Sequence, residues 1–115
     1  MDDGANTDLG APGALFVETS RADGQATLRV AGELDLVSGE ALDLAIRDAE
    51  ESDAARIVVD LRELSFIDST GLSVLLAARR RSSDGRLRFV ASKHDAVARV
   101  VALTDTGAAL GLRSD

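Results

Sequence analysis

The sequence predicts an α/β fold: a single domain with a mixed, mostly parallel sheet of four to five strands, flanked by helices and opened by a β-hairpin. Three observations carry this. Short β-prone runs alternate with amphipathic helical stretches in the order β-β-α-β-α-β-α, the pattern of parallel strands joined by crossovers. The 115 residues suffice for one compact domain and not comfortably for two. Hydrophobic residues make up 45%, many of them Leu, Val and Ala, which supplies a core.

Each element has a local reason. Residues 1–13 (M-D-D-G-A-N-T-D-L-G-A-P-G) are small and acidic, the reverse of a basic, apolar signal peptide, and are expected to be a disordered leader. The domain is expected over residues 14–112, with a tail at 113–115. Residues 14–19 (A-L-F-V-E-T) suit a first strand, and residues 26–31 (A-T-L-R-V-A) alternate as a second. Asp23-Gly24 lies at the centre of the polar turn between them. Gly32-Glu33-Leu34-Asp35 breaks the pattern, and Ser38 reads as a helix N-cap with Glu40 in the first turn. Leu42, Ala45, Ile46 and Ala49 share one face, so residues 39–51 are expected to be helical.

Residues 56–61 (R-I-V-V-D-L) form a continuous β-branched run, suited to a buried central strand. A polar R-E-L-S loop follows. Residues 70–81 carry a stripe of Leu72, Leu75, Leu76 and Arg79, and end on three arginines where cations favour the helix dipole. Residues 86–91 (R-L-R-F-V-A) read as a strand. Residues 94–104 read as a third helix with Val97, Val100, Val101 and Thr104 on one side, stopped by Gly107. Residues 108–112 are expected to be a short edge strand or coil.

Composition excludes several classes of function. Three Phe, no Trp and no Tyr leave no stacking surface for bases, and a net charge of −7 opposes both nucleic acid and an anionic membrane. No cysteine is present, so disulfides and thiolate metal sites are excluded. No apolar run approaches the ~20 residues of a membrane span. A cytoplasmic protein, a monomer or weak dimer, is expected.

Several motifs invite chemistry. Asp105-Thr106-Gly107-Ala108 resembles the signature of retroviral-type aspartic proteases, but too little chain follows it, and a helix C-cap is the better reading. His94 is the only histidine, with no G-x-S-x-G elbow and no ligand partner at metal spacing. Neither nucleotide-binding glycine motif is present. A receiver domain would use Asp60 at a strand end, but the acidic pair and the lysine it needs are not at matching positions.

The stretch F-I-D-S-T-G-L at residues 66–72 is different. Asp, Ser and Thr are N-cap residues, and capping alone accounts for their presence. A helix start also tolerates a phosphate, because free N–H groups and the positive dipole end face it. Phosphorylation there adds about −1.5 to −2 charges. Asp68 beside it sharpens the change in potential.

G-E-L-D at residues 32–35, followed by a capped helix and V-V-D-L-R-E-L-S-F-I-D-S-T-G-L-S-V-L at residues 58–75, resembles the STAS-domain anti-sigma factor antagonists of bacteria. R-V-V-A-L-T-D-T-G at residues 99–107 matches the family's later helix and glycine, so the resemblance covers about residues 14–112. It implies that Ser69 is phosphorylated by an anti-sigma factor that is also a serine kinase, with Thr70 a poorer acceptor. It implies that Asp35 belongs to partner binding and phosphorylation. The unphosphorylated form would bind the anti-sigma factor and release a sigma factor, as in a stress response, and a metal-dependent serine phosphatase would reset the switch. ATP and metal would belong to those partners, with no cofactor here and no catalysis by this chain.

The face expected from this is residues 32–38 with the start of the second helix: Gly32, Asp35, Leu36, Val37, Ser38, Asp68, Ser69, Thr70, Gly71 and Leu72. Ser73 stands where many members carry glycine. Two rivals remain. One is a STAS subunit that is never phosphorylated and serves as a scaffold or as an accessory of an ABC-type lipid transporter. The other is an enzyme using Ser69.

Overall fold

The computed structural model describes residues 14–82 and 84–112. The expected leader and tail, residues 1–13 and 113–115, lie outside them. The elements run β1 (Leu15–Ala22), β2 (Gln25–Leu34), α1 (Leu36–Glu51), β3 (Arg56–Ile67), α2 (Ser69–Arg81), β4 (Leu87–Val90), α3 (Asp95–Thr104) and α4 (Gly107–Leu110). The four strands stand in sequence order. β1 pairs antiparallel with β2, and β2–β3 and β3–β4 are parallel. Asp23 and Gly24 both take positive φ, 54° and 78°, as a two-residue hairpin turn requires, and Ala22 faces Gln25 across it.

Alternation places the core. Leu28, Val59 and Phe89 are partners across three strands, as are Ala26, Ile57 and Leu87, and all six are fully buried. Leu42 and Ile46 of α1 and Leu72 and Leu75 of α2 join them in one apolar cluster. Each such side chain removed from water contributes about 1.5–3 kcal/mol before entropy is counted. The other face of the sheet carries Glu18, Arg29 and Arg88 in solvent.

Several boundaries differ from expectation, each for a physical reason. α1 begins at Leu36, not after Ser38, because Asp35 is the N-cap and Ser38 its partner at the third helical position. The polar R-E-L-S segment is not a loop. β3 continues through it to Ile67, with Leu64 and Ile67 buried and Arg62, Glu63, Ser65 and Phe66 exposed. Two register shifts against β2 change which residues face inward along this stretch. Asp105, not Gly107, takes the left-handed position closing α3, at φ 56°, a conformation that Asp tolerates. Gly107 instead starts α4, so the segment expected as strand or coil opens as one short helical turn.

Candidate functional site

The site is built by the parallel pairing of β2 and β3. Leu34 and Ile67, the last residues of the two strands, are partners in register. Each is followed at once by an aspartate that caps a helix, Asp35 for α1 and Asp68 for α2. The Asp68 amide donates to the Leu34 carbonyl at 3.2 Å, so the two helix starts lie side by side at the carboxyl end of the sheet. That edge is where α/β sheets place their binding residues.

At α1 the cap is closed. Asp35 Oδ1 accepts from the amides of Val37 (3.1 Å) and Ser38 (3.0 Å). The Ser38 hydroxyl accepts from the Asp35 amide at 3.0 Å, completing a reciprocal capping box. The same hydroxyl lies 3.0 Å from Asp35 Oδ1 and 2.9 Å from the Glu33 carbonyl, and its one proton serves either acceptor. These bonds hold the Asp35 carboxyl below the usual range, the Ser38 amide foremost and the Ser38 hydroxyl next. Asp35 is therefore a carboxylate throughout the neutral range.

At α2 the cap is open. Asp68 accepts from the Gly71 amide at 2.9 Å. Ser69 is the first helical residue and is exposed, and among the described residues nothing hydrogen-bonds its hydroxyl. Its carbonyl accepts from the Ser73 hydroxyl at 3.0 Å, so the serine found in place of glycine ties down the first turn. Thr70 is half-buried.

The glycines have backbone reasons. A Cβ on Gly71 would stand 2.7 Å from both the carbonyl oxygen and Cγ of Leu34. Only glycine lets α2 start this close to the end of β2. Gly32 takes φ +105°, at the second register shift, and a Cβ there would run into the Ala14 carbonyl.

Of the ten residues expected at the face, Leu36, Val37 and Ser69 are exposed, and Gly32, Asp35, Asp68 and Thr70 are half-buried. Leu36 is 72% and Val37 86% exposed, a pair of large apolar side chains left in water beside Asp35. Leu72, expected to offer apolar contact, is 5% exposed and packs into the core, as its helical spacing with Leu75 requires. Ser38 and Gly71 are also buried and support the surface from beneath. Sequence reasoning missed Phe66, which is 43% exposed and pairs with Glu33 two residues before the caps. Its signal was the period-three spacing of Leu61, Leu64 and Ile67, which turns Phe66 outward.

Other candidate chemistry is occupied or dispersed. Asp60 is clamped by the Arg62 guanidinium at 2.7 Å, which, ahead of every other cause, holds its carboxyl below the usual range. No cluster of metal-ligating side chains occurs among the described residues, and no helix among them is long and apolar enough to cross a membrane.

Comparison with known proteins agrees with this fold. The family model described as "Mlab, STAS domain" matches residues 17–112. The anti-sigma-F factor antagonist RsfB of Mycobacterium tuberculosis is 32% identical over 73 residues, 64% of this chain and 60% of the relative. The match thus spans about three fifths of that curated relative's length. The crystal structure of an anti-sigma factor antagonist from Mycobacterium paratuberculosis superposes with a TM-score of 0.81 at 26% identity, over 91% of this chain and 90% of that one. The Bacillus cell fate determinant SpoIIAA in its phosphorylated form shares the fold, with a TM-score of 0.62 at 20% identity over 87% of this chain and 91% of that one.

Proposed function

The chain belongs to the STAS domain family, and from that premise we propose that it is an anti-sigma factor antagonist acting by partner switching in the cytoplasm, not by catalysis. The unphosphorylated chain binds an anti-sigma factor that is also a serine kinase, and a sigma factor is thereby released. Phosphorylation of Ser69 ends the binding, and a metal-dependent serine phosphatase restores it. The names of the M. tuberculosis and M. paratuberculosis relatives support the antagonist role.

One observation carries the switch. Ser69 is an exposed hydroxyl with no hydrogen bond among the described residues, at a helix start beside Asp68 and next to the capped Asp35. Its oxygen is free to take the γ-phosphoryl group from ATP held by the partner, with ADP leaving and the hydroxyl proton passing to a base of the partner. The free amides of the helix start accommodate the product, so the fold survives. The added charge of about −1.5 to −2 falls directly after Asp68, at the helix start that lies beside the α1 start carrying Asp35, Leu36 and Val37. A partner complementary to the unphosphorylated face then meets a desolvation and repulsion cost.

The test is incubation of the purified chain with the kinase-type anti-sigma factor of its own organism and ATP, followed by intact-mass measurement. One phosphate is expected on the wild type and none on Ser69→Ala. If the wild type stays unmodified, or Ser69→Ala is still modified, the switch at Ser69 is wrong. An unmodified wild type points to an unphosphorylated scaffold or accessory role, whereas a modified Ser69→Ala moves the acceptor to another residue.

A further inference from the structure

We propose that the cavity beneath α3 is a binding site for a small neutral apolar molecule, of the size of benzene or toluene. The cavity measures about 190 Å³. Leu64 and Ile67 of β3, Leu75 of α2, Val101 of α3 and Leu110 of α4 are among the residues that line it. It is a partly open apolar pocket rather than a sealed void, and its volume is comparable to that of an apolar cavity of about 150 Å³ that takes up benzene.

The lining explains both the space and the choice of ligand. Ala91, Ala98 and Ala102 stand where larger side chains would fill the gap, and Ala98 and Ala102 are one helical turn apart on α3. Both are exposed, so they form the mouth. The one polar side chain in the lining is Ser92, and its hydroxyl is already engaged: it donates to the Leu64 carbonyl at 2.6 Å and accepts from the His94 amide at 3.0 Å. Water entering the cavity would find no side-chain partner and would gain little. An apolar molecule would recover dispersion contacts that the lining now lacks.

The cover is also able to yield. Val97 is the one buried residue of α3, and His94 caps the helix without a side-chain hydrogen bond. An element with so little burial opens at low free-energy cost. Entry through the mouth, widened by a small displacement of this one helix, therefore leaves the sheet intact.

The test is a titration of the full chain with benzene, followed by methyl NMR. Saturable shifts are expected at Val97, Val101 and Leu64, with none at Val17 on the distant edge strand β1. Benzenesulfonate, the same ring carrying a charge, is expected not to bind. Ala98→Leu places a larger side chain at the mouth and should weaken benzene binding at least tenfold. Ala102→Leu repeats the test from the next turn should the first variant fail to fold. Shifts that rise linearly without saturation overturn the proposal, as does equal binding of benzenesulfonate. Unchanged benzene affinity in every folded plugged variant overturns it too.

Discussion

The two helix starts at the carboxyl edge of the sheet use the same residues to opposite ends. Each opens with an aspartate cap, set directly after a residue of the Leu34–Ile67 pair, and each has a serine within its first turn. At α1 the serine is Ser38, buried at 9% exposure and bonded into the capping box. At α2 it is Ser69, exposed, with its hydroxyl unengaged among the described residues. The difference is one of position. A serine at the third helical position points back to the cap, whereas one at the first points outward. Composition alone therefore does not separate a structural hydroxyl from a modifiable one.

The largest effect is expected from the glycines that shape the two starts. Ala at either position gains roughly 1 kcal/mol in helix propensity. At Gly39 the new Cβ would meet only the Val74 side chain, at 3.2 Å, which can shift, so Gly39→Ala should be near neutral. At Gly71 it would meet the Leu34 backbone, which cannot shift without parting β2 from α2. Gly71→Ala should be destabilising by about 1–3 kcal/mol, the usual range for overpacking. Urea midpoints of the two variants measure the contrast, and a Gly71→Ala as stable as Gly39→Ala would remove the close-approach argument.

A smaller effect is expected at the partner. Ser69→Asp carries one charge where phosphate carries nearly two, and should weaken binding to the anti-sigma factor about tenfold, or roughly 1.4 kcal/mol. Thermal unfolding should stay close to wild type, since among the described residues the Ser69 hydroxyl makes no hydrogen bond. Calorimetric titration that finds wild-type affinity would argue against an electrostatic switch.

The core was legible in the sequence because its residues obey simple periods. Leu42, Ile46 and Ala49 on α1 and Leu72 and Leu75 on α2 are buried as their spacing requires. The end of β3 was not legible, because two register shifts against β2 turn the alternation of two into a spacing of three at Leu61, Leu64 and Ile67. The start of α1 was misplaced because both Asp35 and Ser38 are cap residues, and only three-dimensional pairing tells which is the cap and which answers it. At the candidate site, Asp35, Asp68 and Ser69 were expected from the G-E-L-D and D-S-T-G motifs, and the structure brings the two motifs side by side. The exposure of Phe66 needed the register.

Next in size is the direct comparison of the two serines. Ser38→Ala removes one half of the capping box and should cost about 1 kcal/mol. Ser69→Ala should lie within about 0.5 kcal/mol of wild type, as for a surface change that breaks no bond. Equal losses in denaturant unfolding would mean that the Ser69 hydroxyl has a structural partner after all.

The smallest effect is in the pH dependence of the closed cap. The Asp35 carboxyl is held below its ordinary value of 3.8, first by the Ser38 amide and then by the Ser38 hydroxyl. A carboxyl whose pKa is lower folded than unfolded contributes stability above the unfolded value and loses it as pH falls through the folded one. The contribution of Asp35 is thus complete at neutral pH and declines only below about pH 4. Carbon-detected NMR titration of the Asp35 carboxyl should place its midpoint below 3.8 in the wild type. In Ser38→Ala the hydroxyl is gone but the amides of Val37 and Ser38 remain, so the midpoint should rise only part of the way. A full return to the ordinary value would assign the whole depression to the hydroxyl. An unmoved midpoint would assign it to the amides alone, leaving Ser38 to act on the Glu33 carbonyl and on the Asp35 amide instead.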